Sequence, residues 1–179
     1  MRRLLPWTIL FCALVAGATT VKPMSIEDLT SAASSIVEGQ ATVSWSAWNP
    51  QHTLVYTFTR FRVSKTLKGE PDATVTVKQL GGSAGGYTQK VAGVHPMRTG
   101  DSAVLFLRPS EARDGTMVIV GMMQGNFCIE RETKTGAPVV NNGVADVHQS
   151  SSTGVTQYRG AKMTLRQLEA NVRKAAGNE

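Results

Sequence analysis

Cysteine is scarce in this sequence: of 179 residues only Cys12 and Cys128 are cysteines. Cys12 lies in an apolar leader, and Phe11 before it is too bulky for lipoprotein processing. With the leader removed, Cys128 has no second thiol, which excludes an intramolecular disulfide framework. Between Phe127 and Ile129 it reads as a buried structural thiol with no base beside it. Clustered positive charge is lacking too. The formal net charge is +6, but Lys65, Lys68, Lys78 and Lys90 are dispersed, whereas a nucleic-acid binder carries a concentrated basic footprint. The three histidines, His52, His95 and His148, form no H-x-x-x-H or Cys/His pair, so the spacing predicts no metal site. No Gly-Lys-Ser/Thr follows the glycines at 81–86, which removes the phosphate-loop reading and leaves no cofactor motif.

What is present begins with a leader. Arg2 and Arg3 precede an apolar stretch over residues 4–15 and then Ala16-Gly17-Ala18, the pattern of a secretory signal peptide over 1–18, with the mature chain starting at Thr19. A retained anchor would need roughly 20 apolar residues; this stretch is shorter and contains Pro6. The expected location is therefore periplasmic or extracellular, with no membrane span after cleavage. Without Arg2 and Arg3 the balance is 17 basic against 13 acidic residues, a dispersed +4.

Along the mature chain, Ser25 with Asp28 three residues on predicts a capped helix, with Ile26, Leu29, Ala32, Ala33 and Ile36 at helical spacing up to Gly39. Residues 40–46 alternate as a first strand. Residues 54–67 form the longest β signal. There Leu54, Tyr56 and Phe58 share one parity and Phe61, Val63 and Leu67 the other, which predicts a bulge or bend between Phe58 and Phe61. Further strands are expected over 73–80, 103–107, 117–120, 127–129 and 139–140. Residues 141–162 read as a flexible linker, and Thr164 caps a closing helix with Leu165, Leu168, Val172 and Ala176 on one face. The predicted division is thus a signal at 1–18, a β-barrel domain with an N-terminal helix at 19–140, the linker at 141–162 and a helix at 163–177. The fold class is mainly β: a small open Greek-key barrel of five or six strands, of the oligonucleotide/oligosaccharide-binding (OB) shape, with a helix at each end. A β-sandwich is the alternative.

The runs Ile36-Val37-Glu38-Gly39-Gln40-Ala41, Tyr56-Thr57-Phe58 through Leu67-Lys68-Gly69, Val75-Thr76-Val77 and Gly100-Asp101 before Val104-Leu105-Phe106-Leu107 resemble uncharacterised secreted bacterial proteins. They are also similar to netrin-like OB domains, the class that includes the tissue inhibitors of metalloproteinases. Those inhibitors chelate the zinc of their target through an N-terminal cysteine. A chain starting at Thr19 without disulfides departs from that pattern, so the resemblance implies the fold and not the inhibitory mechanism.

Two function classes follow. The aromatic concentration of Trp45, Trp48, Tyr56, Phe58 and Phe61 suggests a non-enzymatic binding module, with Trp48, Tyr56 and Trp45 as binding residues and Trp48, beside Asn49-Pro50, as the exposed one. Core filling is the competing reading for the strand aromatics. The expected partner is an extracytoplasmic protein, a secreted protease being one candidate, ahead of a glycan. The alternative is a small hydrolase: Gly81-Gly82-Ser83-Ala84-Gly85 satisfies G-x-S-x-G, with Asp146 and His148 following in hydrolase order. That motif needs a strand before Ser83 and a helix after it, and the Gly86, Gly93 and Pro96 that follow argue against a helix, so no catalytic residue is assigned.

Overall fold

The computed structural model describes residues 23–91, 94, 96–142, 148–151, 154–157 and 162–177. The leader with its cleavage after Ala18, Cys12, His95 and Asp146 all lie outside the described residues.

Helix α1 (Ile26–Ala32) starts as the sequence dictates: Asp28 N–H donates to Ser25 Oγ, and Ser25 N–H donates to the Asp28 carboxylate. It ends well short of Gly39. Ala33 is already extended, and Ser35 begins strand β1 (Ser35–Trp48). The early stop has a physical cause. Ile36 and Val37 favour extended backbone and are claimed on opposite faces of β1, each fully buried, while Lys68 Nζ donates to the Thr30 and Ala33 carbonyls at 2.5 and 2.7 Å and satisfies the helix end.

β1 pairs antiparallel with β2 (Val55–Lys68), and β2 with β3 (Thr74–Leu80). After the small hairpin β4 (Gly82–Ala84) and β5 (Tyr87–Gln89), the chain enters β6 (Ser102–Pro109) and β7 (Met117–Ile119). β6 pairs antiparallel with both β7 and the first half of β1, and β7 meets β3 in parallel through the single bridge Val77↔Met117. The circuit β1-β2-β3-β7-β6-β1 is a closed five-stranded barrel, not the open one expected from sequence. β8 (Asn126–Arg131), β9 (Pro138–Asn141) and β12 (Lys162–Thr164) extend the sheet from β6. Within residues 141–162 the described segments include the hairpin β10 (His148–Ser151) and β11 (Gly154–Gln157). Helix α2 (Leu165–Ala175) closes the chain, capped reciprocally by Thr164 and Gln167. No helix among the described residues is long and apolar enough to cross a membrane.

Two cores share β6. Ala103, Leu105 and Leu107 point into the barrel with Val37, Phe61, Val75 and Val77; Val104 and Phe106 point outward beneath the helices with Phe127, Val140, Leu29, Leu168 and Val172. A strand buried on both faces explains why 103–107 is an unbroken apolar run.

Between Phe58 and Phe61, where a bulge or bend was anticipated, β2 itself has no extra residue. Val55, Thr57, Thr59 and Phe61 are all buried on one side, so Tyr56 and Phe58 lie on the outside and the parity never switches. The register shifts are shared between the two strands: Thr42 is the extra residue of β1, between the pairs Ala41↔Phe61 and Val43↔Arg60, while Ser64 and Leu67 are extra residues of β2, beyond Phe61. Gly39 makes that curvature feasible: a Cβ there would fall on the Arg62 carbonyl oxygen and 2.8 Å from Cε1 of Phe61.

Candidate functional site

The polar parity of β2 seals one end of the barrel. Thr57 Oγ1 donates to the Gly81 carbonyl at 2.8 Å, and hydroxyls pair across the strands at Ser46–Thr57 (3.0 Å) and Ser44–Thr59 (3.2 Å). Hydroxyls that satisfy one another are tolerated inside, which releases the aromatic parity of β2 to the surface.

That surface is a three-by-three array. Opposite one another across β1, β2 and β3 stand Val43, Arg60 and Thr76; Trp45, Phe58 and Lys78; and Ala47, Tyr56 and Leu80. Trp45 is 41% exposed and Val43 47%. Trp45 stacks on Phe58 with ring centres 5.6 Å apart, and the Arg60 guanidinium lies 5.9 Å from the Trp45 ring centre. Lys78 Nζ lies 4.6 Å from the centre of Tyr56 and 5.9 Å from that of Phe58. Cations over aromatic faces at these distances are attracted by the ring quadrupole. Lys78 is also held at 2.9 Å by Asp114, whose carboxyl is kept well below the usual carboxylate range by the hydrogen bond from Thr116 first and that from Lys78 second. Beyond Lys78 the array runs into a groove of about 380 Å³ whose walls include Tyr56, Leu80, Val118, Met122 and Arg108.

Of the three binding residues read from sequence, Trp45 and Tyr56 share this array. Trp48 does not. It stands at the β1 end, half-buried, stacked on His52 (5.9 Å) and Tyr87 (5.2 Å), so of the two described tryptophans the exposed one is Trp45. The β1–β2 turn expected at Asn49 is built by its side chain, which accepts from the amides of Thr53 and Leu54. The sequence reading passed over Arg60 and Lys78. Their signal was parity alone: each stands two residues from an outward neighbour on its own strand.

Ser83 lies in β4, exposed, its hydroxyl 2.8 Å from that of Thr88; a turn and β5 follow where an elbow needs a helix. His148 opens β10. Cys128, on β8, is half-buried rather than fully buried, and burial, then Asp101 and Glu130, push its thiol up. Where α2 meets the barrel, burial pushes the Glu38 carboxyl up, Glu169 adds to this and Lys65, which bonds Glu169 at 2.7 Å, partly offsets it. Among the described residues, no three His, Cys, Asp or Glu side chains converge on a metal-sized site.

No protein-family model matches the chain, and no curated protein matches it.

Proposed function

We propose that this chain is an exported, non-enzymatic binding module that recognises an extracytoplasmic protein, ahead of a glycan, through the outward face of β1, β2 and β3. The leader at 1–18 supports export. The observation that carries the binding role is Trp45: a large ring 41% exposed, stacked on Phe58 beside Arg60, on a face bearing further cations. Tryptophan and arginine are the residues in which interface energy concentrates. An OB-type reading of the barrel fits the same face. Counted in chain order, its strands meet as first, second, third, fifth, fourth, with the third and fifth parallel, and OB barrels bind on the second and third strands between two loops. The netrin-like resemblance makes an exported protease one partner of interest, without carrying over a zinc-chelating terminus.

The test compares immobilised wild-type protein with Trp45→Ala and Ser83→Ala against secreted and periplasmic proteins, with a glycan array in parallel. A protein retained by wild type and Ser83→Ala but lost by Trp45→Ala is the expected result. Equal retention by Trp45→Ala, or hydrolysis of an ester or peptide that disappears in Ser83→Ala, overturns the reading.

A further inference from the structure

The second half of β1 has one neighbour where its first half has two. Residues Ile36 to Gln40 pair with both β2 and β6. At Ala41 the β6 side is closed by a turn: Ala41 N–H donates to the Asp101 carbonyl and Gly100 N–H to the Ala41 carbonyl, both at 2.8 Å. From Val43 on, no described strand is hydrogen-bonded on that side; Gly82 of β4 packs against the Ser46 side chain, and β1 runs to Trp48 paired with β2 alone. In an antiparallel pair every second residue turns its N–H and C=O away from the partner. Natural sheets blunt such edges with a bulge, a proline or a charge. Here the bulge precedes the edge, and Val43-Ser44-Trp45-Ser46-Ala47 contains neither proline nor charge.

We propose that this edge accepts an added strand, and that the strand is an extended, acidic segment of another protein. The inference rests on the binding-module reading and specifies how the partner is held. Backbone pairing with an edge supplies affinity, and side-chain neighbours supply selectivity. The neighbours here are positive: Arg60 opposite Val43, Arg62 next on the same face of β2, and Lys78 beyond Phe58. The outward rows of β1, β2 and β3 from Val43, Arg62 and Thr74 onward contain no carboxylate, and Asp114, which reaches Lys78, is already bonded to it and to Thr116. In an alternating strand the glutamates share the outward face with Val43 and Trp45 and lie in this field, while the valines turn to the opposite face beside Ser44 and Ser46. The chain's own first 22 residues are the wrong occupant, carrying Arg2, Arg3 and Lys22 without a carboxylate. A second copy is disfavoured because it would bring its own Arg60 and Arg62 to the same seam.

The experiment titrates isotope-labelled full-length chain with a blocked Glu-Val alternating peptide of about ten residues, longer than a typical strand, its Lys-Val counterpart, and the Glu-Val peptide N-methylated at every residue, which blocks both of its edges. The Glu-Val peptide should shift the amide resonances of Val43 to Ala47 below about 1 mM, and N-methylation, the Lys-Val sequence or Arg60→Glu should each weaken it by roughly tenfold or more. No binding at that concentration, equal binding of the N-methylated peptide or equal binding of the lysine peptide overturns the proposal. So does sedimentation showing a dimer that Trp45→Lys dissociates, which makes a second copy the occupant. The two readings fail separately. Partner capture lost in Trp45→Ala with N-methylation without effect preserves the binding face and sinks strand addition; capture indifferent to Trp45→Ala sinks the binding face itself.

Discussion

Phe58 and Phe61 stand three residues apart on β2, and the barrel gives them opposite fates. Phe61 is fully buried among Val37, Val75, Val77, Leu105 and Leu107, with Gly39 against its ring. Phe61→Ala removes the phenyl from a closed barrel that has little room to collapse, so transfer and cavity terms add to about 3–5 kcal/mol. In a protein of this size that lowers the melting temperature by roughly 10 °C. Phe58 is half-buried on the outside. Its truncation loses about half of a full burial term, about 1 kcal/mol, and the stack on Trp45, about 0.5–1.5 kcal/mol. Phe58→Ala should therefore cost about 1.5–2.5 kcal/mol, less than its neighbour. Urea unfolding followed by circular dichroism measures both without relying on Trp45 fluorescence, provided the m-value is unchanged. If Phe58→Ala proves as costly as Phe61→Ala, the aromatic parity of β2 points inward and the binding face does not exist as described.

Other consequences are checked more simply. Gly39→Ala should destabilise the barrel by more than about 2 kcal/mol or prevent folding, because backbone at Arg62 has no rotamer by which to yield; expression and thermal unfolding read this out. Glu38 is pushed up in the folded state, so the native protein binds more protons than the unfolded chain just above the ordinary carboxyl range, and stability falls as pH rises through that window. Glu38→Gln should raise the melting temperature slightly at pH 7, by less than about 1 kcal/mol in stability, and the gain should vanish in acid; a gain that persists below pH of about 4 refutes the assignment. Cys128, half-buried with its thiol pushed up, should react with a thiol reagent at pH 8 much more slowly in native than in urea-unfolded protein.

Legibility followed the range of the interaction. Both helix starts were readable because a cap and its answering residue lie three positions apart, Ser25 with Asp28 and Thr164 with Gln167. Strands β3 and β6 were readable because their apolar residues have nowhere to go but inward. The end of α1 was not, since Ile36 continues the helical period and its strand state depends on β6 some seventy residues later. The outward face was read only in part, as Trp45 and Tyr56, for a related reason: strand aromatics such as Phe58 look like core by hydrophobicity, and only the hydroxyl pairs Ser44–Thr59 and Ser46–Thr57 show that the inner parity is polar there. Trp48 suggested an exposed turn residue because Tyr87, which covers it, is distant in sequence.

The double pairing of β1 also sets an order of assembly. A chain crossing a membrane from its N-terminus delivers β1, β2 and β3 first, and these can form a meander through short turns before β6 has emerged. During that interval the Ser35–Gln40 edge, which β6 will later cover, is as open as the Val43–Ala47 edge remains in the finished barrel. Long-range closure of this kind is slow compared with hairpin formation and leaves apolar strand edges accessible to other chains. With export as proposed, the newly translocated chain should therefore be most vulnerable to aggregation and to proteases before β6 docks, and substitutions in Ala103–Leu107 should lower its yield more than their effect on equilibrium stability alone would suggest.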